Sequence, residues 1–326
     1  MAERASIFQV TQLGPETTPG TAVDGDTRLL GTSFSLGIRP DVNIFRPNGY
    51  KFPTVAIPNR EWVEGSYEGP ACYNDLAYIL SGLVDTVTPV TSGTTGYLWT
   101  FESDSDAADT PKTFTIEHGS AERADSFAYA LFTDLTLSFA RGGVEVSGSL
   151  IGQALDTDIT LTESPTEIAL VPIAAPQVTF KTAATAAGLA GASALTRVKR
   201  MEWTLGSRYA PAWYMNGSTS FGAHVEGEPQ GQAKLMVAAD DAGMSYITNL
   251  RAGSTIFLRA EATGVQIGAG PAVYKLTLDT ALKITDVSDL RDDEGVYAVE
   301  WTCDIAHDST WGKAFSIALI NSLASL

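Results

Sequence analysis

The chain has 326 residues, 44% of them hydrophobic and 18% charged, which excludes a disordered chain and leaves room for two domains of ordinary size. Lys and Arg total 21 against 38 Asp and Glu, a formal net charge of −17. Such a surface repels nucleic acid, because tight DNA binding needs cations that displace counterions.

Cys72 and Cys303 lie in different halves. They read as small buried thiols, with no disulfide framework and no zinc cluster. The 30 glycines, with many Thr, Ser and Val, point to strands and turns. The N-terminal MAERASIFQV has no long apolar core, and no apolar run is long enough for a bilayer. Neither a signal peptide nor a spanning helix is expected, so the chain reads as cytoplasmically made, with no membrane partner.

Residues 1–30 carry Pro15, Pro19, Gly20 and Asp24-Gly25 without periodicity and read as an irregular N-terminal arm. Residues 31–155 read as a first domain. Phe34, Leu36 and Ile38 alternate with Ser33, Ser35 and Gly37 in a first strand. Residues 39–58, with Pro40, Pro47, Pro53 and Pro58, read as a long loop. Trp62–Tyr67 gives a second strand. Tyr73, Leu76, Ala77, Ile79, Leu80 and Leu83 fall at helical spacing and predict a short amphipathic helix. Short strands follow at Tyr97–Phe101 and Phe114–Ile116.

The stretch FTDLTLSFARGGVEVSGSLIGQ (132–153) then alternates apolar Leu135, Leu137, Phe139, Val144, Val146 and Leu150 with hydrophilic partners. Strand side chains point to opposite faces in turn, so this predicts a hairpin buried on one side and wet on the other. Residues 156–195 read as a linker with edge strands at Ile168–Leu170 and Val178–Phe180.

Residues 196–326 read as a second domain with the same order. Strands are expected at Met201–Leu205, Phe221–Val225, Thr255–Ala260 and Val273–Leu278, with an apolar run at Lys234–Ala238 and a helix at Met244–Leu250. A second half-polar hairpin spans 281–308, around the polar turn Arg291–Gly295. The tail 311–326 has weak helical spacing. Recurrence of the order, more than direct identity, suggests an internal duplication.

Catalytic patterns are missing. His118, His224 and His307 share no segment and read as solvated. There is no HExxH, no G-x-S-x-G elbow and no phosphate-binding glycine loop. Asp104, Asp106 and Asp109, and Asp289, Asp292, Asp293 and Glu294, lack EF-hand spacing and read as solvated loop charge. No enzyme activity, cofactor or metal is expected. Architecture remains: hairpins of neighbouring chains joining edge to edge would close a ring and remove exposed strand edges.

Four features together carry a resemblance: the N-terminal arm, WVEGSYEGPACYNDLAYILSGL (62–83), the 132–153 hairpin and LKITDVSDLRDDEGVYAVEWTCDIAHD (282–308). In these the chain resembles the major tail tube proteins of long-tailed, non-contractile bacteriophages, in their larger, duplicated form. The resemblance implies a mainly β fold: two tandem domains, each a β-sandwich or partial barrel with a flanking helix. The long hairpins would form an oligomeric β-barrel. It implies a virion protein made in the bacterial host and placed in the tail. Its rings would be trimeric and pseudo-hexameric, or else hexameric, and would stack into a tube through which DNA passes without specific binding. Other implied partners are a tape-measure protein, a tail terminator and distal-tail proteins.

Lumen candidates are the polar faces: Thr136, Ser138, Glu145, Ser147 and Ser149 in the first hairpin, and Lys283, Thr285, Glu300, Thr302 and Asp304 in the second. Residues 39–58 and the N-terminal arm are the candidates for contacts between rings. Two rivals stand beside this reading. One is a baseplate or decoration subunit. The other is a β-sandwich hydrolase or carbohydrate-binding module using Trp203, Trp213 and Tyr214.

Overall fold

Long runs of period-two alternation make this chain a β protein, since only a strand can keep every second side chain on one face. The computed structural model describes residues 6–326. The strands of the first half are β1 (Val10–Pro15), β2 (Thr27–Leu29), β3 (Ser33–Phe45), β4 (Val55–Pro70), β5 (Val90–Ser92), β6 (Gly96–Phe101), β7 (Phe114–Ser120), β8 (Arg123–Ala140), β9 (Gly143–Gly152), β10 (Asp156–Ile159) and β11 (Thr166–Glu167). Those that follow are β12 (Val178–Ala183), β13 (Ala194–Leu195), β14 (Val198–Gly206), β15 (Tyr209–Ala212), β16 (Ala223–Glu226), β17 (Gln230–Ala238), β18 (Thr255–Gln266), β19 (Val273–Val287), β20 (Arg291–Asp293), β21 (Val296–Ile305) and β22 (Phe315–Asn321). The helices are α1 (Asp75–Leu83), α2 (Asp241–Met244) and α3 (Tyr246–Ala252). Among the described residues, no helix is long and apolar enough to cross a membrane.

One sheet runs β3–β4–β9–β8–β14–β17–β21–β19, every neighbour antiparallel. Only the C-terminal parts of β8 and β19 belong to it. Their N-terminal parts pair elsewhere, β8 with β7 and β10, β19 with β18 and β22. Register shifts at Phe132/Asp134 and Ile284/Asp286 mark where these strands bend between layers. Behind the first bend, β1 and β2 extend from β7; behind the second, β12 and β13 extend from β18.

The pairing scheme therefore recurs. The series β1-β2-β3-β4-α1-β7-β8-β9-β10 has a counterpart in β12-β13-β14-β17-α3-β18-β19-β21-β22, with the same partners in each. The strands β5–β6, β15–β16 and β20, and the short β11, fall outside the recurrence. Among the described residues the sheet is open within one chain, with no closed barrel.

The main core cluster runs from Leu13 through Leu137 and Trp203 to Leu319, with smaller clusters around Phe221 and Phe257. Three fully buried tryptophans satisfy their indole N–H groups, as buried indoles must. Trp99 donates to Asn321 Oδ1 (3.0 Å), Trp203 to Thr280 Oγ1 (3.1 Å) and Trp301 to the Gly243 carbonyl (3.1 Å). Helix α1 is buried on every side, so the expected wet face is absent. Its Asp75 accepts from Gly31 N–H (3.0 Å) and Thr32 Oγ1 (3.2 Å), and burial pushes its carboxyl above the ordinary range. Gly82 lets the helix close on the sheet, because a Cβ there would lie 2.6 Å from the Phe132 ring.

Four expectations change. Residues 6–30 of the expected arm do not form a free arm, and residues 1–5 lie outside the described residues: β1 is inserted between β2 and β7, and Leu13 is completely buried. Its anchors are polar, which hid it. The buried Glu16 carboxylate accepts from Gly20 N–H (2.7 Å), Thr113 Oγ1 (2.7 Å), Thr115 Oγ1 (3.0 Å) and Tyr129 N–H (2.8 Å). Residues 39–58 are not a loop but the outer part of the β3–β4 hairpin, with pairing out to Phe45 and Val55. Prolines 40 and 58 are tolerated where that ladder is exposed on an edge or bulges. The tail forms strand β22, not a helix. It alternates buried Phe315, Ile317, Leu319 and Asn321, and bonds β19 to β6. In residues 156–195 the expected edge strand at Val178–Phe180 is β12, but the one expected at Ile168–Leu170 lies instead at Thr166–Glu167, and β10, β11 and β12 each pair with a neighbouring strand, so the linker is tied down.

If β1 is core, Leu13→Ala should cost about 2–5 kcal/mol, read as a lower urea midpoint with unchanged slope. A wild-type midpoint would mean that β1 is peripheral.

Candidate functional site, a polar face across eight strands

The register of the main sheet lines up one side chain per strand: Ser33, Glu68, Ser147, Thr136, Thr204, Gln232, Asp304 and Lys283. A second row on the same face reads Glu145, Ser138, Glu202, Lys234 and Thr302. Rows between them read Val146, Leu137, Trp203, Ala233 and Cys303, all buried against the core. The face is hydrophilic because strict alternation in each strand is kept in phase from strand to strand.

Every lumen candidate except Thr285 falls on this face by register. Ser149 stands two residues beyond Ser147, opposite Ser66. Glu300 stands two residues before Thr302, and Arg200 reaches it at 2.6 Å. Thr285 sits at the register shift in β19, exposed, with its hydroxyl donating to the Thr302 carbonyl (3.3 Å). Sequence reading missed the contributions of β3, β4, β14 and β17, namely Ser33, Ser35, Ser66, Glu68, Thr204, Gln232 and Lys234. The alternation of Met201, Trp203 and Leu205 was visible, but nothing local says that β14 lies beside β8.

Short polar contacts cross the strands. Thr136 and Thr204 hydroxyls meet at 3.1 Å, and Lys234 lies 3.8 Å from Glu202. Arg39 bonds Glu64 at 2.8 Å; that bond, with one from the Trp62 indole, holds the Glu64 carboxyl below the usual range. Among the described residues, Glu68, Glu145 and Asp304 meet no cation in salt-bridge range. Exposed pairs of this kind contribute little stability. Their effect is a face that is wet and mostly acidic.

Gly148 in β9 is a residue where the backbone must be bare. Tyr67 Oη donates across it to the Asp134 carbonyl (2.8 Å), and a Cβ at 148 would lie 2.0 Å from that oxygen.

Both ends of the sheet are unpaired. Strand β3 pairs only with β4, and β19 beyond Lys283 pairs only with β21, among the described residues. The β3–β4 hairpin reaches past the sheet at one end, with Ile44, Phe45, Tyr50, Phe52, Val55 and Ile57 exposed. From Val42 to Pro58 it carries Arg46 and Lys51 and no acid. The register places the turn holding Asp289, Asp292, Asp293 and Glu294 at the opposite end.

Other candidates scatter. Trp203 is fully buried, so it cannot join Trp213 and Tyr214 in an exposed row. Trp213 instead packs edge-on against Trp62 at 5.6 Å. His118 and His224 are not solvated: each is half-buried and bonded, to Thr11 Oγ1 (3.0 Å) and Tyr129 Oη (3.2 Å), and burial lowers both imidazoles. Asp109 is likewise buried, as the partner of fully buried Arg208, which also meets Glu226 at 3.1 Å. The two thiols are buried and pushed up to about 12 by desolvation. No group of three or more metal-ligating side chains forms among the described residues.

No protein-family model matches the chain, and comparison with curated proteins returns no match.

The two-faced strand makes a sharp contrast testable. Leu137→Ala should cost about 2–5 kcal/mol and Thr136→Ala under about 1 kcal/mol, compared by urea unfolding. Equal costs would mean that the Thr136 side of β8 is also packed.

Proposed function

We propose that this chain is a structural subunit whose copies close into rings, and whose rings stack into a hollow tube of the kind found in the tails of long-tailed, non-contractile bacteriophages. The observation that carries the reading is the main sheet: one unbroken polar face over eight antiparallel strands, ending on each side in an unpaired strand. A sheet so built is an arc looking for closure, because closure removes the exposed edges that invite aggregation.

The recurrent pairing scheme is read as two tube domains in tandem, four strands from each. Three copies then supply twenty-four strands and six domains, which favours a trimeric ring over a hexameric one. At about 4.8 Å between strands and about 40° of tilt, such a barrel is about 50 Å across at the backbone. The polar face would line the bore. Hydroxyls and carboxylates outnumber the cations Lys234 and Lys283 on this face, so a DNA backbone meets few counterion-releasing groups and slides without deep binding wells. A tape-measure protein would occupy the same bore before DNA, and terminator and distal-tail proteins would cover the tube's ends in the virion.

Stacking is assigned to the β3–β4 arm. Its basic, apolar tip leaves one end of the sheet while the acidic turn stands at the other, so a head-to-tail stack brings opposite charges together. The N-terminal segment drops out of this role because β1 is part of the core.

Negative-stain electron microscopy of purified protein tests the reading: long hollow filaments are expected, and a population of monomers at high concentration would overturn it. Replacing residues 45–54 with a two-residue Asn-Gly turn should leave single rings and abolish filaments. Filaments of normal length from that variant would remove the arm from stacking. Discrete rings from the unaltered chain would point instead to a baseplate or decoration subunit.

A further inference from the structure

The main sheet already contains one junction between its two recurrent halves. Strand β8 meets β14, with Leu135 opposite Leu205, Thr136 opposite Thr204, Leu137 opposite Trp203 and Ser138 opposite Glu202. Apolar rows meet apolar rows and polar rows meet polar rows. In the recurrence, β8 corresponds to β19 and β14 to β3. Those counterparts are the two strands whose outer edges are unpaired.

We infer that the free edge of β19 in one copy pairs antiparallel with the free edge of β3 in a second copy of this chain, reproducing the β8–β14 junction. The inference rests on the ring reading above and adds to it which strands meet and in what register.

The register follows from matching the flanking pairs. Strand β14 lies on β3 with Trp203 over Phe34, the buried aromatic of each. Strand β8 lies on β19 with Leu137 over Val287, which face the buried residues Val146 and Trp301 of the next strand. Leu137 opposite Trp203 then becomes Val287 opposite Phe34 of the second copy. Thr136 opposite Thr204 becomes Asp286 opposite Ser35, and Ser138 opposite Glu202 becomes Ser288 opposite Ser33. Burial agrees for Phe34, buried, and Val287, half-buried, and for exposed Asp286, Ser33 and Ser35; Ser288 is half-buried, its hydroxyl accepting from Glu300 N–H (3.0 Å). A slip of one residue would set Val287 against a polar row and turn the apolar set outward, which is why register is strongly specified where one face is buried.

The junction is heterologous: β19 of each copy meets β3 of the next. Such contacts generate a ring when the rotation closes. The 132–153 hairpin itself does not join between chains, because the outer edges of β8 and β9 are already taken by β14 and β4.

Disulfide trapping in the full chain tests this. The pair Ser35→Cys with Asp286→Cys, oxidised in assembled material, should give a ladder on non-reducing gels that stops at the ring's copy number, expected to be three. The two native thiols are buried and contribute no background. Ser33→Cys with Ser288→Cys is a second pair one polar row along and should behave alike. Arg39→Cys with Asp286→Cys moves one partner four residues, about 13 Å, and should give no ladder. Thermal midpoints of the reduced variants, matched to the unaltered chain, establish folding. Rings or filaments in the microscope with neither matched pair trapped would overturn the junction and leave the ring reading standing. The same holds for equal trapping in the offset pair. Reduced, folded protein that stays monomeric would overturn both.

Discussion

The pairing of β8 with β9 on one edge and β14 on the other is the constraint on which the remaining layers hang. Its C-terminal part sets the inward row Leu135, Leu137 and Phe139 against the core and the outward row Thr136 and Ser138 on the wet face. Its N-terminal part crosses into the second layer, where β7 holds β1 and β2. One strand therefore fixes both the phase of the polar face and the place of the N-terminal segment. Strand β19 does the same for the other half, binding β18, β22 and β21 along its length.

Polar groups in the interior act as fasteners between pieces that hydrophobic burial alone would leave free to slide. Glu16 ties the turn after β1 to β7 and β8. Glu117 accepts from Gly25 N–H (3.2 Å), Thr162 N–H (2.8 Å) and Thr162 Oγ1 (2.8 Å), and so joins the N-terminal segment to the chain after β10. Arg208 bonds the Leu83 carbonyl at the end of α1 (3.3 Å) and the carboxylates of Asp109 and Glu226. It thereby anchors the β15–β16 insertion onto the first half. Buried groups of this kind are costly unless every one is partnered. Their directional bonds specify which loop lies where.

The two faces of the main sheet answer to different pressures. The inner face is aromatic and aliphatic, packed around α1 and α3, and its substitution is a matter of stability. The outer face is held in place by the inner one and carries contacts of small energetic weight. Its composition is free to be set by use. The result is an acidic, hydroxyl-rich surface over eight strands with open edges.

Much of the local pattern was readable in advance. The 132–153 hairpin, the strands at Tyr97–Phe101 and Met201–Leu205 and helix α1 all announce themselves, because period two or 3.6 is a property of neighbouring residues. Strand β1 was hidden because buried Thr11, Gln12 and Glu16 are satisfied by residues about a hundred or more positions away. Strand β22 was hidden because Ala314, Ala318 and Ile320 blur its alternation into helical spacing. The arm was hidden because prolines on an edge hairpin look like a loop. Local alternation fixes which side chains share a face within each strand. Strand order, and with it the merging of eight such faces into one and the open edges of β3 and β19, is settled in three dimensions. Pairing partners are chosen by long-range hydrogen bonding and core packing, which no short window of residues contains.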